Sequence, residues 1–521
     1  MTDDSTSGAG STTEADSTPE ADSTPEADST PEDGPIAGLD RTDPLAAVSP
    51  LDGRYASRTA PLSPYASEGA LMRARTRVEV EYLIALAALE ATPIAIDDDV
   101  VEALRSLYTE FSAADARLIK ALEVEGAAGY AATNHDVKAV EYFLRVRLEA
   151  LAEAGVVDDA DALFPWIHFG LTSEDVNNLA HRLLVKPAVE TVLVPAIREV
   201  RDALADLARE HRATPMLART HGQPATPTTF GKEMAVYAAR LGRALGRVDA
   251  AVDGLSGKLA GASGTYAAHA AAYPDVDWRA FSASFVGDLG LDHTPLATQV
   301  NPCDDLAALF DALRGVNDVL LDLDVDAWLY VSDRYLGQRA VEGETGSSTM
   351  PHKVNPIDFE NSEGNLSKAN ADLVFLADYV TSSRLQRDLS DSTVKRNVGA
   401  AFAHCLIGYS KAGDGLSKVV PNETVMREEL AGTPEVIGEA VQTILRREGD
   451  VEAYERVKEL SRGRRVTLED FRALFDELDV DADVRAELNA LTPEGYVGVA
   501  ADLVTDVDDI GDADDLEDVE E

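Results

Sequence analysis

The sequence predicts an all-α protein built on a central bundle of long helices, with an acidic tail at each end. Three observations carry that prediction. Apolar residues recur at 4-3-4-3 spacing over long stretches: Met234, Ala238, Leu241, Leu245, Val248, Val252 and Leu255, then Leu309, Leu313, Val316, Leu320, Leu323, Ala327 and Tyr330. Sustained spacing of this kind belongs to long helices packed at shallow angles. No clear set of alternating apolar and polar residues marks out strands. Residues 1–43 and 502–521 have the acidic composition of chains that cannot bury a core.

The elements follow in chain order. Glu-Ala-Asp-Ser-Thr-Pro repeats three times, from Glu14, Glu20 and Glu26, with no large apolar residue to bury. This stretch is expected to be a disordered, solvating tail, with a partner-binding tail as the alternative. Asn134-His135-Asp136 opens a helix that holds Val137, Val140, Phe143 and Leu144. Thr172-Ser173-Glu174-Asp175 precedes another, with Leu179, Leu183, Ile197, Val200, Leu204 and Leu207; Ser173 or Asp175 can simply cap it. Thr220-His221-Gly222-Gln223-Pro224 lies in a gap between helices, bounded by Pro215 and Pro227. Leu366, Ala369, Leu373, Leu376 and Val380 extend the bundle pattern, so residues 175–385 read as one long helical bundle. Helix N-termini favour anions, and the three polar motifs can all face one.

The charge narrows the function. Ninety-four acids against 46 bases give −48. The tails hold 12 acids and one base (1–43) and 11 acids and no base (502–521), which leaves 71 acids and 45 bases between them, a net −26. Self-repulsion on that scale opposes a compact state unless salt screens it, so adaptation to high intracellular salt is expected. The sign also argues against binding nucleic acid or anionic membranes. Cys303 and Cys405 are too few for a disulfide framework and match no metal motif, and the nine histidines are scattered singly. With no signal peptide and no run near 18 apolar residues, the cytoplasm is the expected compartment. Gly254-Leu255-Ser256-Gly257-Lys258 lacks the spacing of a phosphate loop and reads as a flexible helix end.

Residues 346–356, Gly-Ser-Ser-Thr-Met-Pro-His-Lys-Val-Asn-Pro, fit neither a helix nor a strand period. Hydroxyls beside a cation in a Gly- and Pro-bounded loop suit an anion site; a solvated surface loop is the other reading. The string resembles the signature loop of the fumarase/aspartase superfamily of lyases. Asp52-Gly53-Arg54-Tyr55, Thr133-Asn134-His135-Asp136-Val137-Lys138, Thr172-Ser173-Glu174-Asp175, Thr220-His221-Gly222-Gln223-Pro224-Ala225 and Gln386-Arg387-Asp388 match in the family's order, over residues 47–500. The Asn-His-Asp segment and Phe359-Glu360-Asn361-Ser362-Glu363-Gly364-Asn365 are more particular to the branch that acts on succinylated purine nucleotides.

The resemblance implies a three-domain fumarase/aspartase-type fold: tail 1–43, N-terminal helical domain 44–165, central bundle 166–415, C-terminal helical domain 416–501 and tail 502–521. It implies a homotetramer formed through the bundle, with three chains lining each site. It also implies release of fumarate by cleavage of a C–N bond. Such an elimination needs a base, an oxyanion pocket and an acid, and no cofactor or metal, because the carboxylate itself carries the developing charge.

By the same resemblance Ser347 is the base, His221 the acid, Glu360 orients His221, and His135 supports the acid side or the phosphate. Lys353 and Asn355 hold the succinyl carboxylates. Arg54, Tyr55, Arg387, Ser392 and Arg396 contact the nucleotide. Asn134, Asp136, Thr172, Ser173, Lys258, Gln299, Asn361, Thr393, Val394 and Lys395 complete the expected lining. Thr265 and Ala267, in the Ala-rich stretch after Gly264, depart from the family's polar pattern. The alternatives are another fumarate-releasing lyase, such as one acting on argininosuccinate or aspartate, and a non-catalytic protein on the same scaffold. Arginines aimed at a phosphate argue against the first, and the presence of Ser347, Lys353 and His221 against the second.

Overall fold

The computed structural model describes residues 43–339, 354–461 and 466–505. Residues 1–42 and 506–521 of the two acidic tails, and Ser347 and Lys353 of the signature string, lie outside them. The chain divides into two compact units. The first ends at Arg54, which is exposed; its described residues include a short turn, Pro44–Ala46, capped by the Asp43 carboxylate.

The second unit is dominated by helices. They include α1 (Glu68–Ala87), α2 (Asp136–Glu153), α3 (Ser173–Ala188), α4 (Val194–Glu210), α5 (Phe230–Asp253), α6 (Asp304–Ser332), α7 (Ile357–Val380), α8 (Ser390–Lys395) and α9 (Val398–Lys418). The C-terminal helices that follow include α10 (Glu423–Ala431), α11 (Gly438–Arg447), α12 (Leu468–Glu477) and α13 (Ala482–Ala490). No described helix is long and apolar enough to cross a membrane.

Helices α4, α5, α6, α7 and α9 pack side by side as the bundle. The 4-3-4-3 residues are its core: Met234, Leu241 and Val248 of α5, Leu309, Leu313, Val316 and Leu320 of α6, and Leu366, Leu373 and Leu376 of α7 are all buried. Each such side chain contributes roughly 1.5–3 kcal/mol on burial. A second core joins Leu430, Ile437, Val441, Phe471, Phe475 and Leu488 of the C-terminal helices.

Strands are few and short, but they sit at the ends of the bundle. β1 (Pro215–Thr220) and β2 (Gln223–Thr229) form an antiparallel hairpin between α4 and α5. β3 (Ser256–Gly257) pairs in parallel with β4 (Asp292–His293), and β5 (Leu336–Gln338) with β6 (Val419–Pro421) in antiparallel. The hairpin is where the sequence reading fell short. Pro215, Pro224 and Pro227 conceal the strand pattern, yet a two-stranded ladder is all edge and accepts proline. Its turn, His221-Gly222, has φ of +54° and +72°, the pair of positive values that a two-residue primed turn requires.

The bundle therefore has two ends. The hairpin, β5, β6 and the start of α7 share one, joined by ion pairs of Arg219 with Glu429 and Asp333 and by Leu217, which packs into the C-terminal core. The start of α3, β3, β4, the start of α6, and the segment from the end of α7 through α8 share the other. There Asp305 receives the buried Arg182 at 2.7 Å, and the Thr298 hydroxyl donates to the Gln386 carbonyl at 3.0 Å.

One core residue breaks the apolar rule. Asp324 of α6 is buried, and neither of its oxygens accepts a hydrogen bond among the described residues. Burial pushes its carboxyl up to about 8, with Ser362 opposing and Glu363 adding to the rise. A carboxyl whose folded pKa exceeds the unfolded value, about 3.9, stabilises the fold below that value and loses the contribution as pH climbs to about 8. Asp324→Asn cannot ionise. Its melting temperature is expected to fall less than that of the parent chain between about pH 5 and about pH 8.5. Calorimetry at one fixed salt concentration checks this; parallel curves would mean that Asp324 is charged and solvated in the fold.

Candidate functional site

The end away from the hairpin gathers most of the expected residues. Asn134 adopts φ +48°, a left-handed conformation open to asparagine at little cost. The turn brings His135 to the N-cap of α2, where its Nδ1 accepts from the Lys138 amide at 3.3 Å and the ring stays exposed. Asp136 follows. Its Oδ2 accepts from Arg75 at 2.8 Å and from Arg396 at 3.0 Å. Burial alone would raise this carboxyl, but Arg75 and then Arg396 outweigh it and hold it below the usual carboxylate range.

Thr172 caps α3 in a reciprocal box with Asp175, whose Oδ2 accepts from the Thr172 amide at 2.8 Å, and Ser173 opens the helix. Asp175 is fully buried and also accepts from the amides of Ala260 and Gly261 at 2.9 and 3.1 Å. Next to it the buried Glu174 faces Lys395 Nζ at 3.2 Å and Arg387 Nη2 at 3.8 Å. Gln299 accepts from Arg387 Nη1 at 3.1 Å and donates to the Ala262 carbonyl at 2.8 Å. Ser392 and Thr393 lie on α8 beside these groups. Two helix N-termini, His135 and two partly open arginines thus share one region, which suits a phosphate.

Three residues expected to line a ligand at this end are buried within this chain. Lys258 presents no amine to a ligand: its side chain is 0% exposed and Nζ pairs with Asp175 Oδ1 at 2.7 Å. Lys395 is likewise buried, held between Glu174 and Asp391 Oδ2, the latter at 2.8 Å. Val394 is buried too. In an acidic chain these two lysines neutralise internal carboxylates and so hold the loops together.

The hairpin end carries the rest. His221 is exposed at the tip of the β1–β2 turn. Glu360, in the first turn of α7, accepts from Trp328 Nε1 at 3.2 Å, so the indole orients it within this chain. Asn361 donates to the Tyr55 hydroxyl at 3.4 Å and Asn355 lies half-buried just before α7. Leu336–Gln338 of β5 and the first turn of α7, the described elements on either side of the signature string, lie at this same end; Ser347 and Lys353 lie outside the described residues.

Sequence reading missed several residues that shape the site. Arg75 carries no motif and is visible only once α1 is packed. His168, four residues before Thr172, has φ +58° and its Nδ1 lies 2.6 Å from the buried Glu79 Oε1. Burial would depress this imidazole, but the Glu79 carboxylate outweighs it and pushes the pKa up to about 9. Tyr82 donates to the Phe169 carbonyl at 2.9 Å, fixing the same loop from below.

Comparison with known proteins agrees with this architecture. A family model described as Lyase matches residues 53–370, and one described as Adenylosuccinate lyase C-terminal matches residues 383–497. Adenylosuccinate lyase from Vibrio cholerae is 46% identical over 462 residues, covering 88% of this chain and 98% of its own. The enzymes of that name from Escherichia coli and Dictyostelium discoideum are 44% and 42% identical, over 89% and 88% of this chain and 99% and 98% of theirs. The fold is shared with a fumarate lyase from Mesorhizobium sp. BNC1, at TM-score 0.66 and 21% identity over 91% of this chain and 99% of that one. It is shared also with a 3-carboxy-cis,cis-muconate lactonizing enzyme from Pseudomonas putida, at 0.64 and 19% over 86% and 96%. With the two family models in order along the chain, and relatives 42–46% identical over 88–89% of it, the chain belongs to the adenylosuccinate lyase family of the fumarase/aspartase superfamily.

Proposed function

We propose that this chain releases fumarate from adenylosuccinate, leaving AMP, and from the succinyl-carboxamide ribotide of purine synthesis, leaving the carboxamide ribotide. The observation that carries the reading is the cation-bearing region at the α2 and α3 N-termini, where the half-open Arg396 shares Asp136 with the exposed His135 and the partly open Arg387 lies on Glu174 of α3. A nucleotide phosphate fits such a region; a substrate without phosphate would leave it unused.

In this reading the Ser347 hydroxyl takes the proton from the carbon next to a succinyl carboxylate. That carboxylate, held by Lys353 and Asn355, carries the developing charge. The C–N bond breaks, the C=C bond of fumarate forms, and His221 gives a proton to the departing nitrogen. A serine serves as base only where water is excluded and nearby donors stabilise its alkoxide. Arg54 and Tyr55 belong to the nucleotide side of the same reading, and the division into three helical domains goes with it.

The two half-sites lie at opposite ends of the bundle. α5, with 24 residues, is about 36 Å long at 1.5 Å per residue. One chain alone does not bring His221 to His135. The exposed Val325, Trp328 and Leu329 near one end of α6, and Val374 and Phe375 near the other end of the bundle on α7, offer apolar surface to further copies. An antiparallel homotetramer would join the hairpin end of one copy to the opposite end of another.

Three outcomes are expected. Absorbance-monitored turnover of adenylosuccinate should be present and should rise, with the melting temperature, from about 0.1 M to about 2 M KCl as screening shortens. Absent turnover would overturn the function; a flat salt profile would remove only the adaptation to salt. Ser347→Ala should lose roughly 10²–10⁴ in rate while calorimetry still detects substrate binding; a variant within about threefold of the parent takes Ser347 out of the chemistry. Finally, co-refolded His221→Ala and His135→Ala chains should regain activity in about a quarter of sites, because random assembly pairs the intact halves that often. Hybrid tetramers as inactive as their parents would place both histidines of a site on one chain.

A further inference from the structure

Arg75 is a buried guanidinium with two built partners. Its Nε donates to Asn177 Oδ1 and its Nη2 to Asp136 Oδ2, both at 2.8 Å. The side chain is 5% exposed, against 29% for Asp136 and 47% for Arg396. One arginine of α1 thereby ties the first residue of α2 to the second turn of α3. Arg396 reaches the same Asp136 oxygen from solvent. Two guanidiniums therefore share one carboxylate oxygen, one locked and one half-open.

We propose that Arg75 is a positioning residue for nucleotide binding: it fixes Asp136, and through Asp136 it sets how firmly Arg396 is held and how free that guanidinium is to meet a phosphate. The inference rests on the reading that Asp136 and Arg396 face the nucleotide. With Arg75 present, Asp136 divides its charge between two donors, and Arg396 can turn toward an incoming phosphate at small cost. With Arg75 removed, Arg396 becomes the remaining guanidinium on a half-buried carboxylate and is drawn into that pair. Lysine is no equivalent. It keeps the charge but has no planar fork to bridge Asn177 and Asp136 together.

The test is a double-mutant cycle of Arg75→Met and Arg396→Met in the full chain, with folding and assembly checked by circular dichroism and gel filtration. The readouts are kcat, KM for adenylosuccinate and the inhibition constant of inorganic phosphate. Arg75→Met is expected to raise KM and the phosphate constant about tenfold, the loss of one charge-assisted hydrogen bond, with kcat within about twofold. In the Arg396→Met background the same change should have little further effect, because its route runs through Arg396. Should the methionine variant not fold, Arg75→Lys repeats the cycle, with a smaller rise and the same non-additivity. Additive effects, or a fall in kcat at constant KM, would overturn the positioning role. If Arg396→Met alone changes neither KM nor phosphate inhibition, it is the underlying reading of the nucleotide end that fails.

Discussion

The spacing between the two ends of the bundle constrains everything else in the molecule. Helical hydrogen bonding fixes the rise per residue, and neither α5, α6, α7 nor α9 contains a proline that could shorten or fold it back. The apolar rows of these helices lock them side by side, so the hairpin on one end and the α2 and α3 N-termini on the other cannot approach within a chain. Each end is then built for a separate task. The hairpin end presents an imidazole on a rigid two-residue turn, anchored through Leu217 and Arg219 to the C-terminal helices. The opposite end presents cations and helix N-termini over a network of buried carboxylates.

That network follows from composition. A body with a net −26 has few cations to spare, and those at the opposite end are nearly all engaged internally: Lys258 by Asp175, Lys395 by Glu174 and Asp391, Arg182 by Asp305. Burial without these partners would be costly, because a desolvated charge needs an opposite charge and hydrogen bonds. Arg387 and Arg396 are left partly open, with surface to offer a ligand.

The long helices were legible because they depend on one repeated signal. The row from Met234 to Leu255 became α5, and that from Leu309 to Tyr330 became α6, each within a few residues. The motifs around Asn134, Thr172 and Arg387 were also legible, since capping and charge are local. Tertiary pairing was not. Lys258 and Lys395 read as ligand groups, and only packing shows their carboxylate partners. Arg75 and His168 matter through residues distant in sequence, Asn177 and Glu79. The hairpin was hidden because prolines and threonines there serve a two-stranded edge and not a sheet interior.

The two-ended layout has a thermodynamic consequence. If a productive pocket needs halves from separate copies, ligand binding and self-association are linked equilibria, and each must favour the other to the same degree. Protein concentration then becomes a variable of state. Dilution withdraws binding capacity without altering a single side chain, and a saturating ligand holds the copies together at concentrations where they would otherwise part.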